Sequence, residues 1–234
     1  MKFSELKSEA RSLLSGHWGW GVAIALVNSI FAGMLGSATS TSTVHGLDDL
    51  TKILNFEGLD IDKIELSVST QTTVVLSLLV AAMIGYSIFY TFLRLVDTKE
   101  TGNVATGALS AITSKRILPT FLTSFMTGIF VFLWSLLLIV PGIIKGYAYS
   151  MAPYIVKDLT DTGKEVEPTE AINLSREIMK GHKWQLFCLD LSFIGWFVLS
   201  IITLGIGFLW LRPYFGVTRA NYYRHLVGDR FTKA

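Results

Sequence analysis

Charge is what this sequence has least of. Only 16% of its 234 residues are Asp, Glu, Lys or Arg, against about 25% in a soluble globular domain. Hydrophobic residues make up 51%, and the mean hydropathy is +0.50. So small a polar share points to lipid as the solvent for most of the chain. Cysteine is almost missing: Cys188 alone excludes a disulfide framework and reads as a small packing residue. The four histidines, His17, His45, His182 and His225, come from distant parts of the chain without metal-ligand spacing. There is no HExxH pair, no GxSxG elbow and no glycine-rich phosphate loop ending in Lys-Ser/Thr. The expectation is a protein that is not an enzyme and carries no cofactor or metal. No compact cationic domain exists either, which argues against nucleic-acid binding.

Long apolar runs are plentiful. His17–Gly36, Thr73–Leu93, Leu118–Val140 and Trp184–Ile202 each come near the roughly 20 residues that cross about 30 Å of hydrocarbon. Two weaker runs follow breaks, Ile143–Val156 after Pro141-Gly142 and Gly205–Tyr223 after Leu204. The first is short, about 21 Å at 1.5 Å per residue, and must thin the bilayer, pack inside the bundle or stop short. Sixteen of the 20 Lys and Arg fall in the stretches 1–17, 94–117, 157–183 and 219–233, as six crossings with both termini in the cytoplasm require. A four-span arrangement, with the weak runs on the surface, is the alternative.

Between the first two runs lies an acidic extracytoplasmic loop, 37–72, with Asp48, Asp49, Glu57, Asp60, Asp62 and Glu65 against Lys52 and Lys63. It reads as a solvated face without the ligand pattern of a calcium loop, and its SATSTSTVHG start as a linker. The leader contains Glu5 and Glu9, which favours an uncleaved anchor over a signal peptide.

The motif RSLLSGHW at Arg11–Trp18 returns as REIMKGHKW at Arg176–Trp184. The repeated unit is a cytoplasmic amphipathic helix followed by a membrane hairpin, with 1–17 and 168–181 as two of the helices and Val104–Arg116 as the third. Their apolar faces are expected to lie on lipid and their Lys and Arg on anionic head groups. Trp18, Trp20 and Trp184 would mark the interfacial belt. His17 and His182 fit helix ends, where the dipole favours them. The fold class is thus an all-α integral membrane protein, a single membrane domain over 1–234, with about six transmembrane helices in three repeats.

The blocks IVPGIIKGYAYSMAPYIVKD, EAINLSREIMKGHKWQLFCLDLSFIGW and LGIGFLWLRPY, over about 136–223, and ARSLLSGHWGW near the N-terminus resemble the bacterial multi-pass membrane proteins of domain-of-unknown-function family 975. The resemblance implies a bacterial cell-membrane location and no particular activity.

The chemical clues are the polar groups inside apolar runs, costly at about 2.5 to 3.5 kcal/mol each near the bilayer centre. Lys145, Asp190 and Arg212, with Tyr149, are the candidate binding residues. Lys145 either reaches outward to head groups or to carbonyls freed near Pro141, joins Asp190, Tyr147, Tyr149 or Arg212 in a network, or binds a substrate or lipid phosphate. For Asp190 the expected partners are Arg94 and Arg212. Gly128, Gly195, Gly205 and Gly207 would allow close helix approach. Two functions fit: a non-catalytic accessory subunit or envelope-stress and peptide-resistance component, or a small transporter or lipid-handling protein. The partners are then the lipid bilayer and another membrane protein or further copies of the chain.

Overall fold

The computed structural model describes residues 2–30, 85–108, 110–112, 116–137, 139–163, 166–228 and 230–231. The acidic loop 37–72 and His45 lie outside them. All the regular structure described is helical. α1 is Phe3–Leu14, α2 Trp18–Ile30, α3 residues 85–98 and α4 Val104–Ala108, followed by a 3-10 turn at Ser110–Ile112. α5 is Ile117–Leu137, α6 Ile139–Tyr149, α7 Ala152–Asp161 and α8 Pro168–Ile178. α9, Lys183–Leu191, and α10, Ile194–Ile202, are joined by a tight turn, and α11 is Phe208–Val227.

Among the described residues, two stretches are long and apolar enough to cross a membrane, Ile117–Trp134 and Lys183–Ile202, while α2 is apolar but shorter. Large apolar side chains stand exposed along α5, α6 and α10, including Phe132, Val140, Ile144, Val198 and Ile202. Such a belt is what lipid accommodates and water does not. The opposite end of the molecule is packed. Its centre is α7, buried continuously from Ala152 to Leu159, with α5 and α8 against it. Tyr154 of α7 stacks on Tyr223 of α11 at 5.0 Å and meets Phe89 of α3 edge-on at 5.3 Å.

The amphipathic helices differ from expectation. Leu6, Ala10 and Leu14 of α1, spaced by four, are fully buried, and α1 packs on α11. Ala171, Ser175 and Met179, from α8 and its C-cap, are equally buried, and α8 packs on α5, α6 and α7. These stripes face protein rather than lipid, because helical periodicity reports a buried face without naming what buries it. The third expected helix, Val104–Arg116, is instead α4 and a separate 3-10 turn. Trp184 is 70% exposed, as a belt residue would be. Trp20 has another task, donating its Nε1–H to the Gly102 carbonyl at 2.6 Å.

α1 and α8 end alike. Gly16 has φ +85° and Gly181 φ +86°, a left-handed turn that glycine adopts without strain, and a histidine and a new helix follow each. The buried positions Leu6, Ala10, Leu14 and Ile24 have buried counterparts 165 residues on, at Ala171, Ser175, Met179 and Leu189.

The break expected at Pro141-Gly142 falls elsewhere. Pro141 sits in the first turn of α6, where a missing N–H costs nothing. The run Ile143–Val156 is interrupted instead at Ser150-Met151. Ser175 of α8 bridges this gap, its Oγ accepting from the Met151 N–H at 3.2 Å and donating to the Ala148 carbonyl at 2.8 Å.

Of the four glycines singled out, only Gly207 makes a close approach: a Cβ there would lie 2.7 Å from Ser200 Oγ, whereas Gly128 and Gly195 have open space and Gly205 only Phe208 at 4.0 Å. The closest approach is at Gly216, where a Cβ would collide with the Phe92 ring. This lets α11 lie directly on α3.

Candidate functional site

Three helices that are far apart in sequence converge at one guanidinium. α3 contributes Asp97 near its C-terminus, α7 contributes Asp158, and the last turn of α11 contributes Arg224. Arg224 Nη2 donates to Asp97 Oδ2 at 2.7 Å and to Asp158 Oδ1 at 2.8 Å; Nη1 donates to Asp158 Oδ2 at 2.7 Å, and Nε to Asp97 Oδ1. Tyr223 Oη donates to Asp158 Oδ2 at 2.7 Å. The planar fork of arginine allows both carboxylates to be held at once. Burial by itself would lower the pKa of Arg224, but the hydrogen bonds and charges of Asp97 and Asp158 outweigh it and hold the pKa above arginine's ordinary value.

The pairing continues outward. Lys157 Nζ lies 3.7 Å from Asp97 Oδ2 and donates to Asp161 Oδ2 at 3.1 Å, an i,i+4 pair on α7. Arg116, just before α5, holds the other oxygen of Asp161. Three carboxylates and three cations therefore alternate, and their charges cancel. Asp158 is the deepest, its side chain 2% exposed; without its partners so buried a carboxylate would be strongly unfavourable.

Beside this chain opens a cleft of about 430 Å³ between α3, the loop 99–103 with α4, the start of α5 and the end of α7. Its loop wall is fastened by the Trp20–Gly102 bond and by Thr91 Oγ1 donating to the Gly107 carbonyl at 2.7 Å. Arg94, Arg116 and Lys157 line it, with Asp97, Asp161 and Glu100.

The residues singled out from sequence do not meet. Asp190 pairs with Arg219 of α11, not with Arg94 or Arg212: Nη2 donates to Oδ2 at 2.6 Å and Nε to Oδ1 at 3.1 Å, with Tyr147 Oη donating to Oδ2 at 3.1 Å. Arg219 is missed as an interior partner because, counted by charge alone, it belongs to the cytoplasmic end; α11 continues to Val227 and draws it inward. Lys145 lies over the Trp134 ring of α5, 4.4 Å from its centroid. Arg212 donates to Ser29 Oγ at 2.5 Å. Tyr149 is buried and packs on Phe130. Of these, only the Asp190–Tyr147 contact belongs to the expected network. The histidines do not assemble either: His182 Nδ1 is 3.0 Å from Gln185 Oε1 and His225 Nε2 3.1 Å from Glu9 Oε2. No group of three metal-binding side chains occurs among the described residues.

The described residues thus form an all-helical fold with two apolar stretches of membrane-crossing length and an ion-paired packed end. The chain belongs to the family of proteins of unknown function DUF975, whose model matches residues 1–145 and 136–230. No curated protein and no solved structure matches it.

Proposed function

We propose that the chain is a non-catalytic, multi-pass protein of the bacterial cell membrane that acts through interaction, as an accessory subunit or in envelope stress and peptide resistance. The observation that carries this reading is that the ionisable groups of the apolar runs are held apart, each by its own partner. Asp190 is held by Arg219 and Tyr147, Lys145 lies over Trp134 and Arg212 donates to Ser29, in separate contacts that form no continuous polar path among the described residues. A transporter needs such groups turned toward a shared cavity near the midplane.

Six crossings in three repeats, with both termini in the cytoplasm, remain the favoured topology. Its support is the matched glycine geometry and buried spacing of α1 and α8, together with the clustering of Lys and Arg. Two amphipathic segments also touch the second helix of the preceding unit, α4 and its 3-10 turn touching α3 and α8 touching α7, and α1 touches α11, the second helix of the last unit. In a Cys188→Ser background, a cysteine at Thr162 should react with membrane-impermeant maleimide only after the cells are opened, and one at Ile206 in intact cells. Labelling of both from the same side refutes the topology. For the accessory role, extraction in mild detergent should recover a stoichiometric membrane-protein partner or a defined oligomer, and a partnerless monomer refutes it.

Lipid handling is the second reading. It is favoured by an apolar groove of about 440 Å³ lined by Trp18, Trp196 and Trp210, with Arg11 also on its wall. A specific lipid retained at fixed stoichiometry by a partnerless monomer would shift the assignment to it.

A further inference from the structure

The cleft beside the Arg224 clamp has an unbalanced donor inventory. Two of its three carboxylates are used up: both oxygens of Asp97 are taken by Arg224 and both oxygens of Asp161 by Arg116 and Lys157, leaving Glu100. Lys157 is likewise paired, but the two arginines keep donors to spare. Arg94 has no hydrogen-bond acceptor or carboxylate for its guanidinium among the described residues, although Gly102 packs close to it, a Cβ there lying 3.4 Å from Arg94 Nη1. Arg116 spends one nitrogen on Asp161 and keeps its remaining N–H groups. A guanidinium offers five donors in a fixed plane and no acceptor, so this wall is complementary to a ligand rich in acceptors and carrying negative charge.

We propose that the cleft is a binding site for a phosphate group, with Arg94 as its principal donor and Arg116 as the second. The hydroxyls of Thr91, Thr98, Thr106 and Ser110 each already donate inside the fold, so the guanidinium groups carry the recognition. Glu100, the one lining carboxylate without a cation among the described residues, opposes the anion. The loop wall is preorganised, because Trp20 and Thr91 fasten it without the ligand. A phosphate can come from a lipid head group or from solution. The site is independent of the accessory role, since binding is read on the isolated protein and partner capture in the membrane.

The test is native mass spectrometry of the full chain in detergent, titrated separately with inorganic phosphate and with short-chain phosphatidylglycerol. Arg94→Gln should weaken whichever probe binds by about tenfold or more, the worth of one charge-assisted hydrogen bond. Arg94→Lys should recover part of it, and Glu100→Gln should tighten it. Melting measured alongside should stay at the wild-type value, because Arg94 anchors nothing in the fold. Binding of inorganic phosphate that depends on Arg94 assigns a soluble ligand; binding of the lipid alone, equally dependent, assigns a head group. Failure of both probes, or binding that Arg94→Gln leaves unchanged, overturns the proposal.

Discussion

Arg224 and Asp158 share two parallel hydrogen bonds, Nη1 to Oδ2 at 2.7 Å and Nη2 to Oδ1 at 2.8 Å, between the last turn of α11 and the buried helix α7. Through the same guanidinium Asp97 ties in α3. Arg224→Ala strands a carboxylate that is 2% exposed and should cost about 3 to 5 kcal/mol, read as a large fall in detergent melting temperature. Arg224→Lys should recover less than half, because a point charge cannot span two carboxylates. A folded-state pKa above arginine's ordinary value means the stabilisation is complete below that ordinary value and is lost only as pH rises through the higher one. The gap between wild type and Arg224→Ala should therefore stay constant from neutrality to about pH 10. A melting temperature unmoved by Arg224→Ala would remove the clamp from the account.

Asp190 and Arg219 form the second bidentate pair, with side chains 17% and 19% exposed. Asp190→Ala and Arg219→Ala should each lower accumulation and melting, and the double variant should lose less than their sum. A coupling of about 1 to 3 kcal/mol is expected from thermal unfolding of the four proteins. Additive losses would mean that the contact does not matter to stability.

Ser175 satisfies two backbone groups released between α6 and α7. Ser175→Ala removes only an oxygen from a fully buried position, leaving the Met151 N–H and the Ala148 carbonyl without it. The cost should be about 1 to 3 kcal/mol. Hydrogen exchange should accelerate locally at Met151, and protection equal to wild type there would contradict this role.

Lys145 meets an aromatic ring rather than a carboxylate. A cation–π contact is worth about 0.5 to 1 kcal/mol at an accessible site, and an ammonium in an apolar span is itself costly. Lys145→Met should thus leave melting unchanged or raise it. A clear fall would show that Lys145 holds something beyond Trp134.

Much of the fold was legible in the sequence. Long apolar runs pointed to helices, two of them of membrane-crossing length among the described residues, and the two Gly-His motifs located two turns with almost the same geometry. Spacing by four in Leu6, Ala10 and Leu14 identified a buried face, and Pro168 and Gly181 bracketed α8 and the turn that ends it. The candidate site was hardly legible. Asp97, Asp158 and Arg224 are ordinary helix-end charges when read along the chain, and within this cluster only Lys157 and Asp161 stand at local i,i+4 spacing.

Sequence by itself therefore located α1, α8 and the apolar runs, because these follow from composition and from periods of a few residues, but it misplaced the helix expected over Val104–Arg116 and the break in Ile143–Val156. Only the tertiary structure decided what each face meets. It set α1 on α11 instead of on lipid, gave Asp190 to Arg219, and brought three helix ends to one guanidinium. Partners separated by 66 and 127 residues are chosen by how helices pack, and no local pattern in the chain encodes that choice.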